Sequence, residues 1–319
     1  MYYLKFQIPY SELLKMLQEN NYTKINFFID LPSISRGFFN MDVVHLEINR
    51  YIEEQSPPTL FFDEAKQFYN TIYQRFSKYN PNFITFFDDG KCVQNTNVDA
   101  TYKAVSSMKN LLLEDNELEL FRSIKKYYWE NFSKHFGKQS LSSVIYLNDY
   151  ETDFIPYFFL LNNYMNCRAS TCLNVILSTD KDLTQCCKFK NTIQCSTVYS
   201  KKDRKLIFNI LNDENCISYF YKGFKRGILT AQYVPLMLAL SGDKADNISG
   251  IPGIGPATAY KLIIKHKLPP MIDQGVELPD KLKPYFQKIV KNLKLISFDE
   301  QLKRIPDQVK KMIVEQIGF

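Results

Sequence analysis

The stretch from Gly242 to Ala259, Gly-Asp-Lys-Ala-Asp-Asn-Ile-Ser-Gly-Ile-Pro-Gly-Ile-Gly-Pro-Ala-Thr-Ala, crowds two carboxylates, four glycines and two prolines into a short span. A hydrophobic core requires no such density. The preceding run Tyr233 to Leu240 is apolar and helical in pattern, and it stops at Ser241-Gly242, where glycine can take the backbone angles of a helix end. Asp243 and Asp246 stand three apart, so one turn can aim both at one point. The loop Gly250 to Pro256 then enters a helix predicted over 257–267, with Gly253 and Gly255 leaving backbone N–H groups open to close approach. A glycine-rich turn at a helix N-terminus is a ready anion site, and phosphate is the natural anion. The bland alternative is a tight helix-turn-helix with a solvated acidic tip.

Charge distribution supports a polyanionic partner. The net charge is +6, but residues 1–220 hold 24 Lys/Arg against 25 Asp/Glu, whereas 221–319 hold 16 against 9. A basic final third beside a phosphate-cradling turn suits a nucleic-acid backbone, although a solvated basic surface would look the same. Seven cysteines without a Cys-x-x-Cys pair argue against a zinc site or a disulfide framework, so reduced thiols are expected. His45, His135 and His266 fall in unrelated contexts. Carboxylates must therefore carry any chemistry. Lys5, Pro9 and Glu12 interrupt the opening, which fits neither a signal peptide nor a membrane span; a soluble cytoplasmic monomer is expected.

Taken in order, Ser11 is positioned to cap a short helix through Gln18. Lys24 to Ile29 reads as a buried strand ending on Asp30, and Asn82 to Phe87 as a second ending on Asp88. Helical patterns lie around 41–54 and 61–79. Residues 99–138 are helix-like and polar, with cations beside Tyr127, Tyr128 and Trp129. Ser143 to Leu147 is a third strand, followed by Tyr150-Glu151-Thr152-Asp153 opening a helix; Leu173 to Thr179 is the most apolar strand, ending on Asp180-Lys181-Asp182. Ile193 to Tyr199 reads as a hairpin arm, Lys201 to Leu211 as a helix, and amphipathic pieces near 280–298 and 306–317 close the chain.

Eight acids thus stand at strand ends or helix starts: Asp30, Asp88, Glu151, Asp153, Asp180, Asp182, Asp243 and Asp246. An α/β sheet would bring them to one rim, where they would repel one another unless hard cations intervene. Oxygen-only ligands indicate Mg²⁺ or Mn²⁺, and a pair of such ions suits phosphodiester hydrolysis.

The pattern G-D-x-x-D-N-I-x-G-I-P-G-I-G-x-x-T-A resembles the helix-three-turn-helix of the 5' nuclease superfamily, the 5'-3' exonucleases and flap endonucleases. Ile-Leu-Ser-Thr-Asp-Lys-Asp-Leu183, Tyr-Glu-Thr-Asp153 and the Tyr102-Lys103 pair fourteen residues after Asp88 extend the likeness. The size, the Ile-Asp-x-x-x-Ile start and the ending Leu-Ile-Ser-Phe-Asp-Glu-Gln-Leu-Lys-Arg-Ile-Pro-Asp307 resemble the RNase H type of T-even-like bacteriophages. The resemblance implies a PIN-like α/β core with a central, mostly parallel sheet flanked by helices over 1–228. It further implies a helical arch or gateway at about 95–140, a helix-three-turn-helix over 229–270 and a helical extension over 271–319.

It also implies that Asp88, Glu151, Asp153 and Asp180 hold one metal ion, Asp182, Asp243 and Asp246 a second, with Asp30 close to both. Lys103 would contact the scissile phosphate, with Arg36 as a further cation, although Arg36 stands six residues after Asp30 where the family usually has seven. Asn95 stands where the family commonly has an arginine. Gly250, Gly253, Ile254, Gly255, Thr258 and Lys261 would face DNA, with a potassium ion bridging the turn to the backbone. The implied substrates are a 5' flap, a nick or an RNA-DNA hybrid met in RNA primer removal, with a single-strand binding protein or sliding clamp as possible company. Two other classes compete: a non-catalytic DNA-binding module, which leaves the upstream acids without purpose, and a PIN-type single-strand ribonuclease, which leaves the glycine turn unexplained.

Overall fold

A computed structural model describes residues 8–35, 46, 49–50, 60–88, 92–102, 127, 131–132, 142–200 and 205–317. Most of the helix expected around 41–54 and most of the expected arch lie outside the described residues, as do Arg36 and Lys103.

Helix α1 (Tyr10–Glu19) leads into strand β1 (Lys24–Asp30), the one-turn helix α2 (Leu31–Ser35), helix α3 (Leu60–Phe76) and strand β2 (Asn82–Asp88). A short helix α4 (Val93–Thr96) precedes β3 (Ser142–Leu147), α5 (Ile155–Asn162) and β4 (Cys172–Leu177), and the hairpin β5 (Thr192–Ser200) and β6 (Lys205–Leu211) follows. These six strands form one sheet in the order β3-β2-β1-β4-β5-β6. Every pairing is parallel except that of β5 with β6.

Strand parity explains how the sheet is packed and where its acids emerge. In β1, Ile25, Phe27 and Ile29 enter one apolar cluster with Phe83, Phe87, Val175 and Leu177, while Phe28 enters another with Ile84, Phe86 and Ile176. Alternate side chains of a strand point to opposite faces. Phe27 stacks on Phe83 with ring centroids 5.5 Å apart on the first face, and Phe28 meets Phe159 of α5 edge-on at 5.9 Å on the second. Even-numbered positions of β1 and β2 share the second face, so Asp30 and Asp88 emerge on that face and at the same carboxyl edge. At the opposite edge the same parity aligns three amides: Asn82 Nδ2 donates to Asn26 Oδ1 at 2.9 Å, and Asn26 Nδ2 to Asn174 Oδ1 at 3.0 Å. This ladder ties three adjacent strands in one register.

Two expectations are corrected. Ser11 is not a cap: α1 begins at Tyr10 behind Pro9 without a side-chain cap, and the Ser11 hydroxyl donates to Glu12 at 2.7 Å. The proline, with fixed φ, sets the turn that a serine was expected to set. The segment expected as a helix to Leu211 forms β6, antiparallel to β5 from Lys205↔Ser200 to Leu211↔Gln194. Its run of apolar residues fits either period, and pairing with β5 decides it.

Beyond the sheet, α6 (Val234–Ser241) and α7 (Pro256–His266) flank a two-residue ladder of β7 (Gly242–Asp243) with β8 (Ile248–Ser249). Helices α8 (Phe286–Ile296), α9 (Phe298–Arg304) and α10 (Asp307–Gln316) follow. Most of α6 is buried, and its apolar cluster includes Leu211 and Cys187 from the sheet side and Leu293 and Ile296 from α8. Asn292 in α8 donates to the buried Ala239 carbonyl at 2.9 Å and to the partly buried Ser249 carbonyl at 3.0 Å, tying together the two sides of the turn. The turn is thereby fixed relative to the sheet edge.

Candidate metal centre

Gly242 ends α6 with φ 82°, a left-handed angle that glycine adopts without cost. An added Cβ there would lie 2.4 Å from the Gly250 nitrogen, and one on Gly250 would lie 2.4 Å from the Ser241 carbonyl carbon. The backbones on either side of the acidic turn touch, which requires both glycines. Asp243 and Asp246 are carried between them. Asp243 is nearly inaccessible at 1%, and one of its oxygens accepts from the Ala245 N–H at 2.9 Å.

The expected convergence occurs on Asp182. One carboxylate oxygen from each of Asp182, Asp243 and Asp246 lies within 4.8 Å of the others, the one such cluster of acids among the described residues. Asp182 Oδ1 is buried without a hydrogen-bond partner. Burial, then the charges of Asp180, Asp246 and Asp243, push its carboxyl well above the usual carboxylate range. Buried polar atoms are normally satisfied, and an all-oxygen trio that includes a buried carboxylate with an orphaned oxygen fits a hard divalent cation. Lys181 Nζ stands 2.6 Å from Asp243 Oδ2, so the chain supplies one cation of its own.

The other acids are held individually beside this trio. Asp30 is buried and accepts the Ser33 and Ser178 hydroxyls and the Ser33 N–H; burial foremost, with the charge of Asp180 adding to it, raises its pKa against the lowering effect of those hydrogen bonds. Asp180 Oδ1 accepts the Asp182 N–H at 2.9 Å. Asp88 Oδ2 accepts from Thr152 N at 2.9 Å and Thr152 Oγ1 at 3.1 Å, which anchors the start of α5 to the end of β2. Asp153 follows in that same turn, partly buried. Glu151 is buried and receives Asn95 Nδ2 at 2.9 Å, Cys92 Sγ at 3.2 Å and the Tyr102 hydroxyl at 3.0 Å; that hydroxyl also reaches Asp246 Oδ2 at 3.5 Å. Asp182, Asp243 and Asp246 are thus brought together, whereas Asp88, Glu151, Asp153 and Asp180 do not close to the same spacing among the described residues.

Several participants escaped sequence reasoning. Ser33 and Ser178 hold Asp30, and Lys181 pairs with Asp243. Lys181 alone carries a signal, a cation between two acids. Tyr102, read only as half of a Tyr-Lys pair, joins Glu151 to Asp246 and fixes the chain one residue before Lys103. Asn247 in the turn donates to the Thr101 carbonyl at 2.7 Å and secures the same point. All seven cysteines are buried and unpaired with one another; burial pushes Cys167 up to about 12 and Cys172 to about 11. Such thiols are poor nucleophiles and metal ligands.

On the turn itself, Gly253 has φ 72°, Gly255 has φ −88° and ψ 178°, and a Cβ on either would meet nothing within 4 Å. Gly253 carries the left-handed angle, not Gly255. Ile254 is buried in the core, so only its backbone can face a ligand; Thr258 is half-buried and Lys261 exposed. Gly250 is committed to the contact with Ser241 and Gly242.

With parallel sheet, acid rim and glycine turn in place, the solved structures supply the comparison. The flap endonuclease of bacteriophage T5, solved in a complex with DNA and metal ions, superposes with a TM-score of 0.61 at 16% identity over 93% of this chain and all of that one. The T5 5'-exonuclease with bound zinc gives 0.57, covering 92% of this chain and 100% of that one. The fold is that of the phage T5 5'-exonuclease. In sequence, 139 residues are 32% identical to the 5'-3' exonuclease of Halalkalibacterium halodurans, covering 42% of this chain and 40% of that protein. A stretch of 91 residues is 34% identical to the 5'-3' exonuclease of Aquifex aeolicus, covering 28% and 26%. The matches therefore span less than half the length of these bacterial relatives. No family model matches the chain.

Proposed function

We propose that this chain is a divalent-metal-dependent 5' nuclease of the 5'-3' exonuclease and flap endonuclease superfamily, acting on DNA with a 5' flap, a nick or an RNA-DNA hybrid, as in RNA primer removal. The observation that carries the reading is the Asp182, Asp243 and Asp246 trio with its orphaned buried oxygen, seated beside an open glycine turn at the carboxyl edge of a parallel sheet. Asp182, Asp243 and Asp246 would hold one Mg²⁺ or Mn²⁺ ion, and Asp88, Glu151, Asp153 and Asp180 a second, with Asp30 between them. The ions would supply an activated water and stabilisation of the leaving oxygen. Tyr102 would orient Glu151 through its hydroxyl, and Lys103, next in the chain, would neutralise charge on the scissile phosphate, with Arg36 as a further cation. Gly253, Gly255, Thr258 and Lys261 would grip a duplex phosphate through open backbone and a surface cation, with potassium at the turn; such contacts read backbone and not base.

Cleavage of 5'-labelled flap, nicked and hybrid substrates in Mg²⁺, in Mn²⁺ and in chelator tests the reading. Metal-dependent release of products from the 5' end is expected. In Asp180→Asn the amide keeps the shape but binds a hard cation poorly, so cleavage should be lost while duplex binding persists. Binding without cleavage in the unaltered chain would leave a DNA-binding module, and cleavage restricted to single-stranded RNA would leave a PIN-type ribonuclease.

A further inference from the structure

Arg304 closes α9 far along the chain from the acid rim, yet its guanidinium reaches α4. Its Nη2 donates to Asn95 Oδ1 at 2.6 Å, its Nη1 to the Glu300 carbonyl at 3.2 Å, and its Nε is buried without a partner. Asn95 is fully buried, and its Nδ2 donates to Glu151 Oε2 at 2.9 Å. A guanidinium can only donate, so it compels the Asn95 oxygen to face α9 and thereby turns the amide NH₂ toward Glu151. Were the amide to flip, an oxygen lone pair would confront a buried carboxylate. The Tyr102 hydroxyl then holds the other side of Glu151 and touches Asp246.

We infer that Arg304 is a positioning residue for the metal centre: by fixing the orientation of Asn95 it holds Glu151 ready as a ligand, so that the C-terminal helices complete the site. The inference rests on the metal-binding reading of the acids and not on which DNA is cut. Interactions that orient a metal ligand commonly alter affinity by about 10–100-fold.

Calorimetric titration of Mn²⁺ into metal-free protein provides the test, with melting temperature and duplex affinity in chelator measured alongside. Arg304→Met should weaken Mn²⁺ binding by on the order of tenfold. Asn95→Leu should do the same, and the double variant should lose little more than either single one, because both act along one path. Arg304→Lys, which still donates to Asn95, should recover most of the affinity, and duplex binding should be unchanged throughout. Full Mn²⁺ affinity in folded Arg304→Met, or additive losses in the double variant, would overturn the inference. If Arg304→Met fails to fold, Asn95→Leu and Arg304→Lys decide: retained affinity in Asn95→Leu refutes it, as does an Asn95-sized loss in Arg304→Lys. An unaltered chain that binds Mn²⁺ with this variant pattern but cuts no DNA would defeat the nuclease reading and leave this one standing.

Discussion

Asp182 keeps a carboxylate oxygen in the interior with no donor, surrounded by Asp180, Asp243 and Asp246. Without a cation such an arrangement costs stability, because charge is both desolvated and repelled. Asp182→Asn removes that repulsion, and the metal-free protein should gain about 1 kcal/mol, within the usual range of such relief at functional sites. The same change should sharply reduce the rise in melting temperature produced by Mn²⁺, leaving the part owed to the ion held by the other acids. Thermal melts with and without the ion check both halves; a destabilised metal-free variant would contradict the first. Lys181 predicts the opposite sign. Its ammonium relieves buried Asp243 at 2.6 Å, so Lys181→Met should destabilise the metal-free protein by about 1–3 kcal/mol, discounted because the lysine is partly exposed. Mn²⁺ binding should persist or tighten, since no competing cation remains. Loss of Mn²⁺ binding, seen by calorimetry, would show that Lys181 supports the site and does not stand in for the ion.

Among the elements, the glycine turn separates fold from function. Gly250→Ala would push a methyl into the backbone of Ser241 and Gly242 at 2.4–2.6 Å, where nothing flexible can give way. Overpacking of this kind costs about 1–3 kcal/mol, and the melting temperature should fall accordingly. A Cβ on Gly255 meets nothing within 4 Å at an ordinary φ, so Gly255→Val should cost no more than about 1 kcal/mol, the loss of a favourable helix N-cap residue. Duplex affinity should nevertheless drop, with single-stranded DNA affected far less. Equal weakening on both DNAs in a folded variant would remove the turn from the duplex interface. The two glycines look alike in sequence, and only the approach of α6 to β8 distinguishes them. Strand β6 teaches the same lesson: Lys205 to Leu211 fits two periods, and its partner β5 selects one.

For the whole molecule, pH and metal should act together. Burial first, and then neighbouring carboxylates, raise Asp182, while burial foremost raises Asp30. Between the ordinary carboxylate range and those raised values the folded chain binds more protons than the unfolded one, so metal-free stability should fall as pH rises through that window. Divalent ions displace the protons, and the gain in melting temperature from Mn²⁺ should therefore grow with pH across the same interval. Melting curves against pH, with Mn²⁺ and with chelator, test this; a metal-free melting temperature that climbs through the window would refute it. The sequence by itself determined the acid-ended strands β1 and β2, the helix stop at Gly242 and the pairing of Asp243 with Asp246, because strand parity, helix termination and three-residue spacing are local properties. Tertiary structure alone decided that Lys181 faces Asp243 and that Arg304 reaches Asn95 across 209 positions of chain, and it brought to the pair the Asp182 that only the family resemblance had grouped with it. Those contacts depend on how the sheet edge, α6 and α9 pack against one another, and no local pattern of residues encodes that geometry.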